Sequence, residues 1–98
     1  MKTEKHTPGP WQQREVKASR AGITIEGRNG NYIAAVDCDG DRESMHANAR
    51  LIAAAPDLLE ACRLADEKLS SVTQPGESGW DAVMACRAAI SQAEGSAK

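Results

Sequence analysis

The chain has 98 residues, of which 41% are apolar and 27% charged, and its formal net charge is -2. This length favours one small domain, and the absence of Phe predicts an aliphatic core rich in alanine. The negative charge disfavours general binding to nucleic acid. The polar first residues and the lack of a long apolar run predict a cytosolic protein outside the membrane.

The first residues are predicted to form a flexible arm, residues 1–10, ahead of a single α+β domain over residues 11–98. The Thr-Pro-Gly-Pro segment at residues 7–10 is expected to be extended or turn-like, because proline fixes φ and disfavours helix before it. Trp11 follows directly. As large aromatic side chains prefer burial, we expect Trp11 to anchor the arm on the fold.

Residues 11–40 are predicted to form an antiparallel meander of about three strands. The alternation of apolar and polar residues is weak over 11–17 and clean over Gly22–Glu26, and residues 32–38 are rich in β-forming types. An Asn-Gly pair at residues 29–30 indicates a tight hairpin turn. Short loops of this kind join antiparallel strands.

An acidic turn follows the predicted sheet, and its members are Asp37, Asp39, Asp41 and Glu43. Its spacing does not fit a calcium-binding EF-hand, because Gly40 comes too early in the segment. We expect Asp41 to cap the next helix. Cysteine and histidine pairs with metal-ligand spacing are absent from the sequence, so we expect neither a metal nor a cofactor.

Residues 41–94 are predicted to form an antiparallel helical hairpin. Apolar residues recur at alternating spacings of four and three: Leu51, Ala55, Leu58, Cys62, Ala65, Leu69 and Val72. This apolar repeat runs through Pro56, which leaves two alternatives. One is a long helix kinked near Pro56, and the other is two nearly collinear helices with Pro56 near the start of the second. The unbroken repeat favours the kinked helix.

The second arm of the hairpin is expected to begin after a loop over residues 71–79. Ser78 and Asp81 are spaced like a capping box. The inner face of this helix is predicted from its spacing to consist of Trp80, Val83, Cys86 and Ile90. Cys62 and Cys86 then have the opportunity to approach each other, and we expect all three cysteines of the chain to be reduced thiols.

A polar group precedes the apolar repeat. Arg42, His46 and Arg50 are four residues apart and share one helix face, whereas Asn48 points roughly 160° away from Arg50. Guanidinium groups suit phosphate, and the amide of Asn48 offers hydrogen-bond donors and an acceptor. Two interpretations remain open, a solvated helix face and a site for an anionic ligand. No nucleophile and base are paired in the sequence, so we do not expect an enzyme.

Two sequence segments resemble segments of a group of small phage and prophage proteins. They are His-Thr-Pro-Gly-Pro-Trp at residues 6–11 and Ala-Asn-Ala-Arg-Leu-Ile-Ala-Ala-Ala-Pro-Asp-Leu-Leu-Glu-Ala at residues 47–61. The layout and the Asn-Ala-Arg element also resemble the first Thoeris anti-defence protein family. That resemblance implies a homo-oligomer that binds cyclic ADP-ribose-type or cyclic oligonucleotide immune signals without cleaving them. It implies ligand-binding roles for Asn48 and Arg50.

The sequence hypothesis is therefore a phage-encoded anti-defence protein that sequesters a cyclic nucleotide in the host cytosol. Its candidate ligand-binding residues are Asn48, Arg50, Arg42, His46 and Tyr32. Because the chain lacks Phe, stacking on a base is expected to use Tyr32, Trp11 or His46. The alternative is a phage inhibitor that binds a host defence protein complex through the acidic surface of the turn.

Overall fold

The computed structural model describes residues 6–16, 22–37 and 41–95. Within them the chain forms three strands followed by three helices: β1 (Gln12–Val16), β2 (Gly22–Glu26), β3 (Tyr32–Val36), α1 (Arg42–Ala53), α2 (Ala55–Ser70) and α3 (Trp80–Glu94). The predicted α+β class, with an antiparallel sheet before the helices, is confirmed. The chain divides into two compact units, Met1–Asp57 and Leu58–Lys98.

The sheet of the first unit has the order β1-β2-β3, and both strand pairs are antiparallel. The predicted hairpin turn between β2 and β3 is present. The Gly30 backbone N–H donates to the Gly27 carbonyl oxygen at 2.9 Å, and Gly30 has a φ of +85°. A left-handed backbone at this position favours glycine, which explains why the Asn-Gly pair forms the turn.

The core of the first unit lies between one sheet face and α1. Its buried side chains belong to alternate positions of β2, the end of β3 and one stripe of α1: Ile23, Ile25, Val36, Met45 and Ala49. Gly22 has a φ of +87°, and a Cβ there would collide with the Met45 sulfur. Gly22 therefore permits both the strand start and the close approach of α1.

Residues of the arm pack onto the same unit. Trp11 lies against the core, and its indole Nε1 donates a hydrogen bond to the Thr7 carbonyl oxygen at 3.1 Å. The His6 ring meets the Trp11 ring edge-on, with 6.4 Å between centroids. The predicted anchoring role of Trp11 is confirmed. Residues 1–5, the other half of the predicted flexible arm, lie outside the described residues.

Pro56 is the second residue of α2, and Ala54 separates α1 from α2. A proline in the first turn of a helix costs no intrahelical hydrogen bond, since the N–H groups there have no partner within the helix. The favoured interpretation, one helix kinked near Pro56, is therefore corrected to the alternative that the sequence left open. The chain forms two helices, and the second begins just before the proline.

In the second unit, α3 and the part of α2 from Leu58 onward form an antiparallel pair. Arg63 on α2 forms an ion pair with Glu94 on α3, and the Arg87 Nε atom lies 3.0 Å from the Asp66 Oδ1 atom. Because the later residue of α2 pairs with the earlier residue of α3, the two helices run antiparallel, as the predicted hairpin requires. Val83 on the predicted inner face of α3 is buried.

The start of α3 differs from the prediction. Its N-cap is Gly79, which makes no side-chain capping hydrogen bond, so the capping box expected from Ser78 and Asp81 is wrong. The Glu77 carboxylate stabilises the preceding loop instead. Its Oε1 atom accepts a hydrogen bond from the Gln74 backbone N–H at 2.7 Å and another from the Thr73 hydroxyl at 3.1 Å.

The predicted apolar repeat is only partly buried: Ala55, Cys62, Ala65 and Leu69 are half-buried, and its other members are exposed. Leu59, which lies beside the repeat, is the buried residue of α2, whereas Leu58 is 48% exposed and Val72 is 77% exposed. In α1, Met45 and Ala49 are buried while Leu51 is 63% exposed. The spacing of the apolar residues correctly predicts helices. It does not identify the helix face that packs, because the apolar side chains of these helices are spread over more than one face.

Candidate functional site

Helix α1 displays the predicted polar row of Arg42, His46 and Arg50, which we name the cationic row after its two arginines. The helix begins at its N-cap, Asp41, whose carboxylate accepts hydrogen bonds from the Glu43 backbone N–H and from the Ser44 hydroxyl. The buried stripe of α1 packs on the sheet. The cationic row lies next to that stripe by the helical period, and its two arginines are exposed.

Glu15 on β1 faces the first two members of the cationic row. Its Oε2 atom lies 3.2 Å from an Arg42 guanidinium nitrogen and 3.9 Å from the His46 Nε2 atom. The strand register explains this position, because Glu15 pairs with Ile23, a core residue on the sheet face that α1 covers. Since Arg42 and Glu15 are both largely exposed, their ion pair contributes little, about 0–1 kcal/mol.

Arg50 differs from Arg42 in its surroundings. Its side chain is exposed, and among the residues that the structure describes it has no ion-pair or hydrogen-bond partner. A guanidinium group in this state keeps all of its donors available to an anion. Arg50 is therefore the member of the cationic row that is most open to a ligand.

Asn48 is exposed on the other side of the buried stripe of α1. By the helical period its side chain points roughly 160° away from that of Arg50, as expected from the sequence. Because Asn48 and Arg50 lie on opposite flanks of α1, the two side chains of a single chain do not contact the same small ligand. The structure thus displays Asn48 and Arg50 on one helix without bringing them together.

Tyr32 lies on the other face of the sheet. It pairs with Glu26, whose carboxylate accepts hydrogen bonds from the Arg14 guanidinium group at 3.0 Å and the Thr24 hydroxyl at 3.3 Å. These partners alternate with the core residues of their strands, so they mark the polar face away from α1. Tyr32 is 66% exposed there and does not join the cationic row.

The acidic turn is only partly described. Asp39 lies outside the described residues, and Asp37 and Glu43 are exposed. Asp41 uses both carboxylate oxygens to cap α1, so the predicted capping role is confirmed. The hydrogen bond from the Ser44 hydroxyl holds the pKa of Asp41 below its ordinary value of 3.8, and backbone N–H groups add to this effect.

Glu15 is the residue that sequence reasoning missed. The alternation over residues 11–17 is weak, and it does not identify the sheet face on which Glu15 lies. Its proximity to α1 depended on the way the helix packs, and no sequence pattern reports that. Glu15 gives the cationic row an internal counter-charge, which any anionic ligand has to displace or avoid.

Two further observations concern other kinds of site. Among the described residues, no three His, Cys, Asp or Glu side chains form a group able to hold a metal ion. None of the helices in the described ranges is long and apolar enough to cross a membrane.

A family model described as Salmonella phage P22 protein Y8K6 matches residues 1–97, nearly the whole chain. No curated protein matches the chain, and no solved structure does. The family match supports the part of the sequence hypothesis that expected a small phage protein. It names no ligand, partner or reaction.

Proposed function

The chain belongs to the Salmonella phage P22 protein Y8K6 family, and from that premise we propose that it is a phage-encoded binding protein for a small anionic ligand. The ligand that we propose is a cyclic nucleotide immune signal of the host, sequestered without being cleaved. The observation that carries the proposal is the exposed cationic row on α1, with Arg50 unengaged among the described residues. The proposed role is that of an anti-defence protein in the host cytosol.

The charges of the cationic row suit a cyclic nucleotide better than a neutral ligand. Arginine binds phosphate through paired donors, and the row presents two arginines about two turns apart, with His46 between them. A cyclic dinucleotide or trinucleotide carries several phosphates on a compact ring. Arg50 would then bind one phosphate directly, while Arg42 would exchange its weak contact with Glu15 for another.

We also propose that the protein acts as a homo-oligomer. Support comes from the second unit, where Leu58 and Val72 are two members of the apolar repeat that remain exposed in the single chain. The repeat has the 3–4 spacing by which helices of separate chains pack against each other. A second copy would also bring a second α1, so that Asn48 of one copy and Arg50 of another could serve the same ligand.

The competing hypothesis from the sequence is capture of a host defence protein through the acidic surface. The described part of that surface gives it less support. Asp41 is engaged in capping α1, and the other described members, Asp37 and Glu43, are exposed residues of ordinary surface character. A pull-down from host lysate that is lost when these charges are reversed, in a protein that binds no nucleotide, would favour this alternative.

The binding proposal is tested by mixing the purified protein with cyclic dinucleotides, cyclic trinucleotides and glyco-cyclic ADP-ribose. We expect at least one of them to raise the midpoint of thermal unfolding, since a ligand that binds only the folded state stabilises it. The bound ligand, released by denaturing the protein, should be recovered chemically intact. The absence of stabilisation by every member of the panel would reject the proposal, and recovery of a cleaved product would reject sequestration.

A further inference from the structure

One carboxylate oxygen faces two members of the cationic row. The Glu15 Oε2 atom lies 3.2 Å from an Arg42 guanidinium nitrogen and 3.9 Å from the His46 Nε2 atom. The Arg42 contact is a hydrogen bond, whereas the distance to His46 is too long for one. Glu15 therefore binds Arg42 in the structure, and a small side-chain movement would bring it to His46 instead.

The charges around His46 come from two elements. On α1, Arg42 and Arg50 lie one turn before and one turn after His46, and the exposed Glu43 lies three residues before it. On β1 the facing charge is Glu15. The core side chains of β2 and β3 that pack with α1 are apolar. Among these groups the imidazole is the kind of side chain whose charge changes near neutral pH.

A bound oxyanion changes the balance of these charges. In the free protein the two arginines oppose a proton on His46, and an anion that they hold removes this opposition. The anion also competes with Glu15 for the guanidinium donors of Arg42, and the exposed ion pair that it must break is weak. The released carboxylate is repelled by the anion unless it gains a cation of its own, and His46 is within reach.

We propose that an anion bound to the cationic row transfers Glu15 from Arg42 to His46, which takes up one proton from the solvent. Because the exchange occurs at the site of the proposed function, it rests on that function. In the free protein Glu15 neutralises Arg42. In the bound protein the anion occupies Arg42 and Arg50, both ring nitrogens of His46 carry a proton, and the imidazolium neutralises Glu15. The cationic row thus admits an anion without leaving the Glu15 carboxylate uncompensated.

The exchange determines the direction in which anion binding depends on pH. The bound protein carries one more proton than the free protein, so by the reciprocity of linked equilibria a lower pH strengthens binding. We expect the affinity for an anion to be at least about threefold higher at about pH 6 than at about pH 8, where the imidazole loses its proton. A site of arginines alone keeps its charge over this range, so its affinity would not change.

The test uses the full-length chain and inorganic sulfate, an oxyanion whose own charge does not change near neutral pH. His6 and His46 are the two histidines of the chain, so two imidazole signals can be followed by proton NMR, and His46→Gln identifies them. Sulfate is titrated at constant ionic strength and at a pH where His46 is mostly neutral. We expect the His46 signal to move toward its position in the protonated protein and the His6 signal to stay in place.

Two variants separate the parts of the exchange. His46→Gln keeps a hydrogen-bonding side chain that does not titrate, so its affinity for sulfate should be the same at about pH 6 and at about pH 8. Glu15→Gln removes the carboxylate that stabilises the imidazolium, so the His46 signal should move less at equal occupancy by sulfate. The affinity of Glu15→Gln should also depend less on pH than that of the wild type.

A His46 signal that sulfate leaves in place, or a wild-type affinity that is equal at the two pH values, would overturn the proposal. The same titrations with cyclic di-GMP distinguish its failure from that of the proposed function. Binding of cyclic di-GMP without proton uptake by His46 would overturn the exchange and support the proposed function. Proton uptake driven by sulfate, with no binding of any cyclic nucleotide, would support the exchange and reject the proposed ligand.

Discussion

Gly9 packs directly against Pro56, so that a Cβ on Gly9 would lie 2.9 Å from the Pro56 Cβ and 3.1 Å from its Cγ. The contact joins the Pro-Gly-Pro segment before β1 to the start of α2, within the first unit. Gly9 and Pro56 belong to the two sequence segments, residues 6–11 and 47–61, that carry the resemblance to small phage proteins. The two segments therefore pack against each other in the fold.

We predict that Gly9→Ala destabilises the protein by about 1–3 kcal/mol, since the added methyl group has no room beside the proline ring. Gly9 has no left-handed φ, so the cost arises from the contact itself. The measurement is urea unfolding of Gly9→Ala, Pro56→Gly and the double variant. If the contact is responsible, the cost of Gly9→Ala falls by at least about 0.5 kcal/mol in the Pro56→Gly background. Additive costs would contradict the packing explanation.

The cap of α1 predicts a specific response to acid. In the folded protein the pKa of Asp41 is lowered, chiefly by the Ser44 hydroxyl, so the unfolded chain takes up the proton more readily. The stabilisation by this carboxylate is complete above its ordinary pKa of 3.8 and is lost as the pH falls through the lower folded value. Asp41→Asn retains a good capping side chain that does not titrate.

We therefore expect the unfolding free energies of the wild-type and Asp41→Asn proteins to converge as the pH falls below 3.8. At neutral pH the wild type should be the more stable of the two, because the charged carboxylate favours the helix N-terminus. Urea unfolding at a series of pH values measures this difference. Parallel curves over the whole acid range would show that the Asp41 pKa is not lowered by folding.

Glu15→Gln tests whether Arg42 belongs to a ligand site. The substitution removes a negative charge 3.2 Å from the Arg42 guanidinium group, so an anionic ligand no longer competes with it or is repelled by it. We expect the affinity for the cyclic nucleotide to rise by roughly threefold to tenfold, while stability changes by less than about 1 kcal/mol.

The matched control is Glu26→Gln, which removes the partner of Arg14 on the other sheet face. It should leave ligand affinity unchanged. Titration calorimetry of both variants against the wild type gives the comparison. Equal affinities in all three proteins would place the Arg42–Glu15 pair outside the ligand site.

Self-association is expected to depend on the exposed part of the apolar repeat. Leu58→Glu introduces a charge at a 48% exposed position of the repeat, so it should cost the single chain little and should shift the solution mass toward the monomer. Leu64→Glu is the control, because Leu64 is equally exposed but lies outside the repeat. Light scattering coupled to size exclusion measures the mass. Dissociation by both variants, or by neither, would contradict a role for the repeat.

Local signals predicted the sheet and its turn. Gly22–Glu26 alternates so regularly that the sequence predicts a strand with one apolar face, and the Asn-Gly pair predicts the position of the hairpin turn. The capping role of Asp41 was likewise predictable, since the side chain bonds to residues two and three positions away. Each of these features is decided within a short stretch of chain.

Features that depend on distant contacts were not predictable. The apolar repeat indicates helices, but it does not show that Leu59 is buried in preference to Leu58, because that choice depends on contacts with residues far away in the sequence. The contact of Glu15 with Arg42 joins residues that are 27 positions apart. The placement of Tyr32 on the far side of the sheet followed from strand register, which the sequence left open.

The central claim is that the cationic row on α1 binds a cyclic nucleotide, and Arg50→Ala tests it most directly. Titration calorimetry should show saturable binding by the wild type, weakened at least roughly tenfold by Arg50→Ala, since one charge-assisted contact to phosphate is lost. Arg28→Ala, which removes the same charge from the exposed β2–β3 turn, should bind as the wild type does. Equal binding by Arg50→Ala and the wild type would contradict the claim.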